Sequence, residues 1–169
     1  MTSSETDHRQ RLTGLILLLA LASIVSALAF EHIGGYRPCP LCLTQRYAYY
    51  FGVPAALLAL LAVRAGWRLP ATLLIAAIGL AFFANAGLGV YHSGVEWHWW
   101  QGPTGCSGGG SIATGAGGLL GAIAEADVVR CDEAQLRILG LSFAGWSAVV
   151  SILIAVLSLQ AIRAPRSNY

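Results

Sequence analysis

Four stretches of this chain carry no charged side chain: residues 12 to 30, 47 to 63, 70 to 90 and 141 to 162. Crossing about 30 Å of hydrocarbon at 1.5 Å per residue takes a helix of roughly 20 residues, range 17 to 25, so each stretch is long enough to span a bilayer. Helix is the expected state, because a segment in lipid must satisfy its own backbone polar groups. Polar and charged residues fall between the stretches. The pattern predicts an all-α membrane protein, an antiparallel bundle of four transmembrane helices, with residues 1 to 169 forming one membrane domain.

Composition agrees, at 56% hydrophobic and 11% charged residues over 169 positions. Arg9 and Arg11 ahead of the first stretch, with Ala27-Leu28-Ala29 near its end, also resemble a cleavable signal. A signal's apolar region is about 7 to 15 residues, however, and this run has 19. All ten basic residues are arginines, and the net charge of +2 is too small to suggest a nucleic-acid partner.

Charge also sets the expected orientation. Arg9, Arg11, Arg64, Arg68, Arg163 and Arg166 lie on one side of the four spans, in short segments. Arg37, Arg46, Arg130 and Arg137 lie on the other, in loops 31 to 46 and 91 to 140, together with six of the eight acids. The six-arginine side is expected to be cytoplasmic, with both termini. All four cysteines, Cys39, Cys42, Cys106 and Cys131, then face outward, where disulfides persist.

Cys39 and Cys42 form a CxxC, which suits a redox disulfide, half of a zinc site or a structural bridge. A zinc site wants a second close pair, whereas 24 residues separate Cys106 from Cys131. A four-residue ring is a poor structural staple, because loop-closure stabilisation grows with loop length. Redox chemistry is the preferred reading, with no metal. Cys42 is expected in the first turn of the second helix, with Arg46 at i+4 on the same face, so it is expected to be the low-pKa thiol. Pro38 and Pro40 bias Arg37 and Cys39 towards extended backbone, which would present Cys39 outward. Arg46 either snorkels to the headgroups or hydrogen-bonds a carbonyl of a lipid-soluble electron acceptor, for which a quinone would fit.

Residues 102 to 121 hold nine glycines in twenty positions, a flexible-linker composition that carries Cys106. A mobile cysteine suits disulfide exchange with a protein partner, and the alternative is a Cys106 to Cys131 bridge worth roughly 3 to 4 kcal/mol. Leu119, Leu120, Ile123 and Ala124 have the spacing of a short interfacial helix. Trp97, Trp99 and Trp100 with Tyr47, Tyr49 and Tyr50 read as an interfacial aromatic belt. His92 reads as a headgroup-level histidine, Asn85 as interhelical glue and Pro54 as a kink in the second span.

The stretches FEHIGGYRPCPLCLTQR (30 to 46), GVYHSGVEWHWW (89 to 100), GPTGC (102 to 106), RCDEA (130 to 134) and GLSFAGW (140 to 146) resemble the bacterial disulfide bond formation protein B (DsbB) family. The resemblance covers nearly the whole chain. It departs from better-known members in the glycine-rich loop and the absence of lysine. It implies an inner-membrane oxidase that reoxidises a DsbA-like periplasmic thioredoxin-fold protein and passes the electrons to ubiquinone or menaquinone. Carried over by residue, Cys106 would form the mixed disulfide with the partner, Cys131 would be its mate and Cys39 would exchange with that pair. Cys42 would face the quinone, with Arg46 and His92 near its carbonyls. The alternatives are a vitamin-K-epoxide-reductase-like or substrate-dedicated thiol oxidase, and a non-enzymatic membrane protein binding metal through four cysteines.

Overall fold

The computed structural model describes residues 3–103 and 130–164. The glycine-rich stretch with Cys106, and the amphipathic spacing at Leu119 to Ala124, lie outside the described residues. Four long helices account for most of the rest: α1 (Ser3–His32), α2 (Pro40–Arg64), α3 (Arg68–Glu96) and α4 (Phe143–Arg163). All four are long and apolar enough to cross a membrane. The chain is a multi-pass membrane protein.

The helices run longer than the uncharged stretches, because an arginine or glutamate can sit in a terminal turn with its charge at the headgroups. One consequence matters for function. Helix α3 continues past residue 90 to Glu96, so His92 and Glu96 share a rigid helical face instead of a loop.

Each helix packs against two neighbours, α1 on α2, α2 on α3, α3 on α4 and α4 back on α1. The α2 to α3 link is three residues, Ala65 to Trp67, and turns on Gly66 at φ +74°, a left-handed conformation that glycine adopts without steric cost. Such a short connection forces an antiparallel pair. At the opposite end of the bundle from the CxxC, Arg9 Nη2 donates to Thr72 Oγ1 at 2.7 Å and ties α1 to α3.

The core gathers Ile16, Ala20, Ala56, Ala59, Ile75, Ile78, Phe82 and Ile154, all fully or almost fully buried. Leu18, Leu58, Leu80, Phe83 and Ile152 are exposed, as lipid-facing side chains must be. Small residues let helices approach. A Cβ on Gly89 would lie 2.9 Å from Ala148 Cβ, and one on Gly52 would lie 2.5 Å from the Phe82 ring. Asn85 Nδ2 donates to Ser151 Oγ at 2.9 Å, the interhelical role expected of it.

A short antiparallel hairpin precedes α4, an addition to the all-helical expectation: β1 (Arg137–Ile138) pairs with β2 (Leu141–Ser142). Leu139 and Gly140 both have positive φ, 53° and 84°, as a two-residue primed turn requires. The turn delivers Ser142 to the N-cap of α4, where its Oγ accepts the Gly145 N–H at 3.2 Å. Trp146 Nε1 donates to the Ile138 carbonyl at 3.0 Å and holds the hairpin against α4.

Candidate functional site: a thiol pair at a membrane cavity

Helix α2 begins at Pro40, whose fixed φ suits a first helical position and whose missing N–H costs nothing there. Cys39 is therefore the N-cap, extended at φ −75° and ψ 164°, as a residue before proline should be. Its sulfur accepts the Cys42 N–H at 3.2 Å. Cys42 falls in the first turn, as expected, with its sulfur 2.8 Å from that of Cys39. Both are free thiols.

The capping geometry reverses one expectation from the sequence. The sulfur built to carry charge is that of Cys39, whereas helix position and Arg46 had pointed to Cys42. Hydrogen bonding from the Cys42 thiol holds Cys39 down to about 5, with help from His92 and the Cys42 N–H, and against the burial that pushes it up. Arg46 does not serve the thiols, because its guanidinium is paired with Glu31 on α1 and reaches the Ala27 carbonyl at 3.5 Å.

Cys39 is also not presented outward. It is 4% exposed, and it packs with Leu41, Val95 and Cys131. The segment around Cys131 covers it, held by Gln135 Nε2 donating to the Arg37 carbonyl at 2.7 Å. Arg130 grips Asp132 through two hydrogen bonds of 3.0 and 2.7 Å, which keep that carboxyl below its ordinary pKa. Cys131 is disulfide-bonded. Its sulfur, that of Cys39 and a ring nitrogen of His92 all lie within 4.8 Å of one another.

His92 is 1% exposed and sits inside the protein, in the outer turns of α3. Gln45 Nε2 lies 2.9 Å from its Nδ1, and Cys39 Sγ lies 3.6 Å from its Nε2. With the Gln45 amide donating to Nδ1, Nε2 carries the ring proton and points it at the Cys39 sulfur. Glu96 Oε1 is 3.9 Å from the same nitrogen.

Cys39, Gln45, His92 and Glu96 line a cavity of about 400 Å³ between the four helices and the hairpin, within the roughly 300 to 1,000 Å³ of small-molecule sites. Ala22, Ala27, Phe30, Phe143 and Val150 make its apolar walls, while Cys42, Arg46, Glu31, His92 and Glu96 supply its polar points. Apolar walls with Arg46 and His92 among the polar points fit a planar, lipid-soluble ring bearing carbonyl oxygens.

Sequence reasoning placed Cys39, Cys42, Arg46 and His92 at a site, and the structure brings them to one cavity, with Cys131 packed against Cys39 beside it. It missed Gln45, Glu31 and Glu96. Glu96 stands at i+4 from His92, a spacing that marks a shared helical face, and Gln45 lies within the motif segment itself.

Fold and site together define a four-helix membrane protein with a close pair of free thiols lining a largely apolar cavity. Residues 9–161 match the family model described as "Disulfide bond formation protein DsbB", and the chain belongs to that family. Curated relatives named disulfide bond formation protein B include one from Herminiimonas arsenicoxydans, 31% identical over 86% of this chain and 89% of the relative. One from Acidovorax sp. (strain JS42) is also 31% identical, over 85% of this chain and 84% of the relative. No solved structure matches the chain.

Proposed function

We propose that this protein is a thiol:quinone oxidoreductase of the bacterial inner membrane that reoxidises a DsbA-like periplasmic protein, with ubiquinone or menaquinone as electron acceptor. The observation that carries the reading is the position of the Cys39 sulfur, between the Cys42 thiol at 2.8 Å and a disulfide-bonded Cys131 within 4.8 Å, beside the cavity.

Cys106 is the proposed mate of Cys131. A partner thiolate attacks this bridge at Cys106 and forms a mixed disulfide, and Cys131 leaves as the thiolate. The second partner thiol then displaces Cys106, so the partner leaves oxidised and the Cys106/Cys131 pair stays reduced. Cys131 next attacks the Cys39–Cys42 disulfide at Cys39 and releases Cys42, and Cys106 then displaces Cys39, so the Cys106–Cys131 bridge re-forms and Cys39 and Cys42 are left as the reduced pair. The stabilised Cys39 thiolate makes that reduced pair favourable, and hence its disulfide a strong oxidant, for the same reason that any disulfide with a low-pKa thiol is easily reduced. A quinone bound in the cavity supplies a two-electron acceptor. Arg46 would hold it by a carbonyl, Cys42 would face it and His92 would keep Cys39 ionised. The outward face of the cysteines, supported by the arginine distribution, makes the periplasm the compartment of exchange.

Two alternatives are less well supported. Metal binding through four cysteines needs four thiolates, and Cys131 in a disulfide has none to give. A substrate-dedicated or vitamin-K-epoxide-reductase-like oxidase would use the same thiols and differ in partner. The deciding experiment is quinone reduction by a reduced DsbA-type protein. Wild type should turn over, Cys42→Ser and Cys106→Ser should not, and Arg46→Ala should weaken apparent quinone affinity. Turnover by Cys42→Ser at the wild-type rate defeats the reading.

A further inference from the structure

Glu96 is a buried titratable side chain in the cavity that has no part in that scheme. Glu96 closes α3 with its side chain 6% exposed. Its Oε1 lies 3.9 Å from His92 Nε2, the nitrogen that also lies 3.6 Å from Cys39 Sγ. Its Oε2 is buried with no hydrogen-bond partner among the described residues, and the residue lines the cavity. A buried carboxyl oxygen without a partner is costly, and such an oxygen in a cavity is suited to exchanging a proton with whatever enters it.

The surroundings fix what it can exchange with. On its own helix Glu96 meets His92, at the head of α2 it meets Cys39 and Cys42, and from the hairpin it meets Arg137 and the Ser142 hydroxyl. Glu31 and Arg46, across the cavity, pair with each other. A neutral His92 has one Nε2 proton facing two acceptors, the Cys39 sulfur and the Glu96 carboxyl, and serves one at a time. Cys39 and Glu96 therefore compete for that proton.

We propose that Glu96 is the proton carrier of the thiol–quinone step, taking the proton that leaves Cys39 and delivering it through the cavity to a quinone oxygen. The inference rests on the quinone reading given above. As the Cys39–Cys42 bond forms, the pair gives up two electrons and two protons, and both of each end on the quinone as hydroquinone. The Cys39 proton travels by way of Glu96, and the second proton comes from the Cys42 thiol.

The test compares wild type, Glu96→Gln and Glu96→Asp as reduced, full-length protein in detergent, each checked by thermal melting. In the first arm, with no quinone present, the rate of iodoacetamide alkylation of Cys39 is followed against pH by fragment mass spectrometry. Removing a like charge from beside Cys39 should move its inflection down by about one unit in Glu96→Gln and leave it in place in Glu96→Asp. In the second arm, ubiquinone reduction should slow by about a hundredfold in Glu96→Gln, the low end for loss of an acid–base group, and added formate should restore part of it. An unmoved Cys39 inflection overturns the proposal whatever the turnover, since Glu96 then serves only packing. A moved inflection with unchanged turnover overturns it too. A wild type inert towards quinone sinks the functional reading instead, and the quinone-free arm tells the two failures apart.

Discussion

The Nε2 of His92 lies 3.6 Å from the sulfur of Cys39, although the two stand 53 positions apart in the chain. That contact joins the last turns of α3 to the N-cap of α2 and adds to the Cys42 hydrogen bond in lowering the Cys39 pKa. It also predicts a pH signature. Cys39 is held near 5, well below an ordinary thiol at 9.0. In the reduced protein, alkylation of Cys39 should have its inflection near 5, and His92→Ala should raise it. An inflection at an ordinary thiol value would refute the assignment.

The same shift links to stability. Cys39 has a folded pKa depressed below its unfolded value, so its contribution is fully present above the unfolded value and is lost as pH falls through about 5. Reduced protein should therefore become easier to denature as pH drops from about 9 to about 5. The disulfide form of the CxxC should lack that dependence, and denaturant titrations of both forms at several pH values would compare them.

Gln45 is predicted to act through His92. Its amide sets the tautomer at Nδ1. In Gln45→Leu the ring loses that orienting bond, so the Cys39 inflection should rise. Gln45→Glu should hold the ring as an imidazolium and move the inflection the other way. Equal profiles in the two variants would remove Gln45 from the account.

Glu31 and Arg46 form a half-buried pair on the cavity wall. Removing only the arginine leaves a carboxylate without its cation, so Arg46→Ala should cost about 1 to 3 kcal/mol of stability. Arg46→Ala with Glu31→Gln should recover much of it, while apparent quinone affinity stays low in both. Thermal melts set beside quinone titrations separate the two effects.

Helix approach gives a prediction away from the thiols. Gly89 faces Ala148 with room for a hydrogen only. Gly89→Val should overpack the α3–α4 contact and cost about 1 to 3 kcal/mol. Adding Ala148→Gly should return part of that loss, because it vacates the Cβ that the new side chain meets.

Much of this protein is legible in its sequence because lipid imposes strong rules on a chain. Uncharged runs of bilayer length, arginines in the short loops and thiols outside the spans follow from the costs of burying charge and unpaired backbone. They predicted the four helices, their antiparallel order and the CxxC at the head of α2. Proline in Pro40 and the first-turn position of Cys42 were equally local. What the sequence could not assign was ownership of the charge. Cys42 and Arg46 stand at i and i+4, yet Arg46 turns to Glu31, and the favoured sulfur is Cys39 because Cys42, His92 and the helix cap all aim hydrogen-bond donors at it. Those donors come from α2 and α3, and the cover comes from the segment before the hairpin. Only close packing of distant segments, whose distances no one-dimensional pattern encodes, decided which sulfur has the lowered pKa and set Glu96 near it.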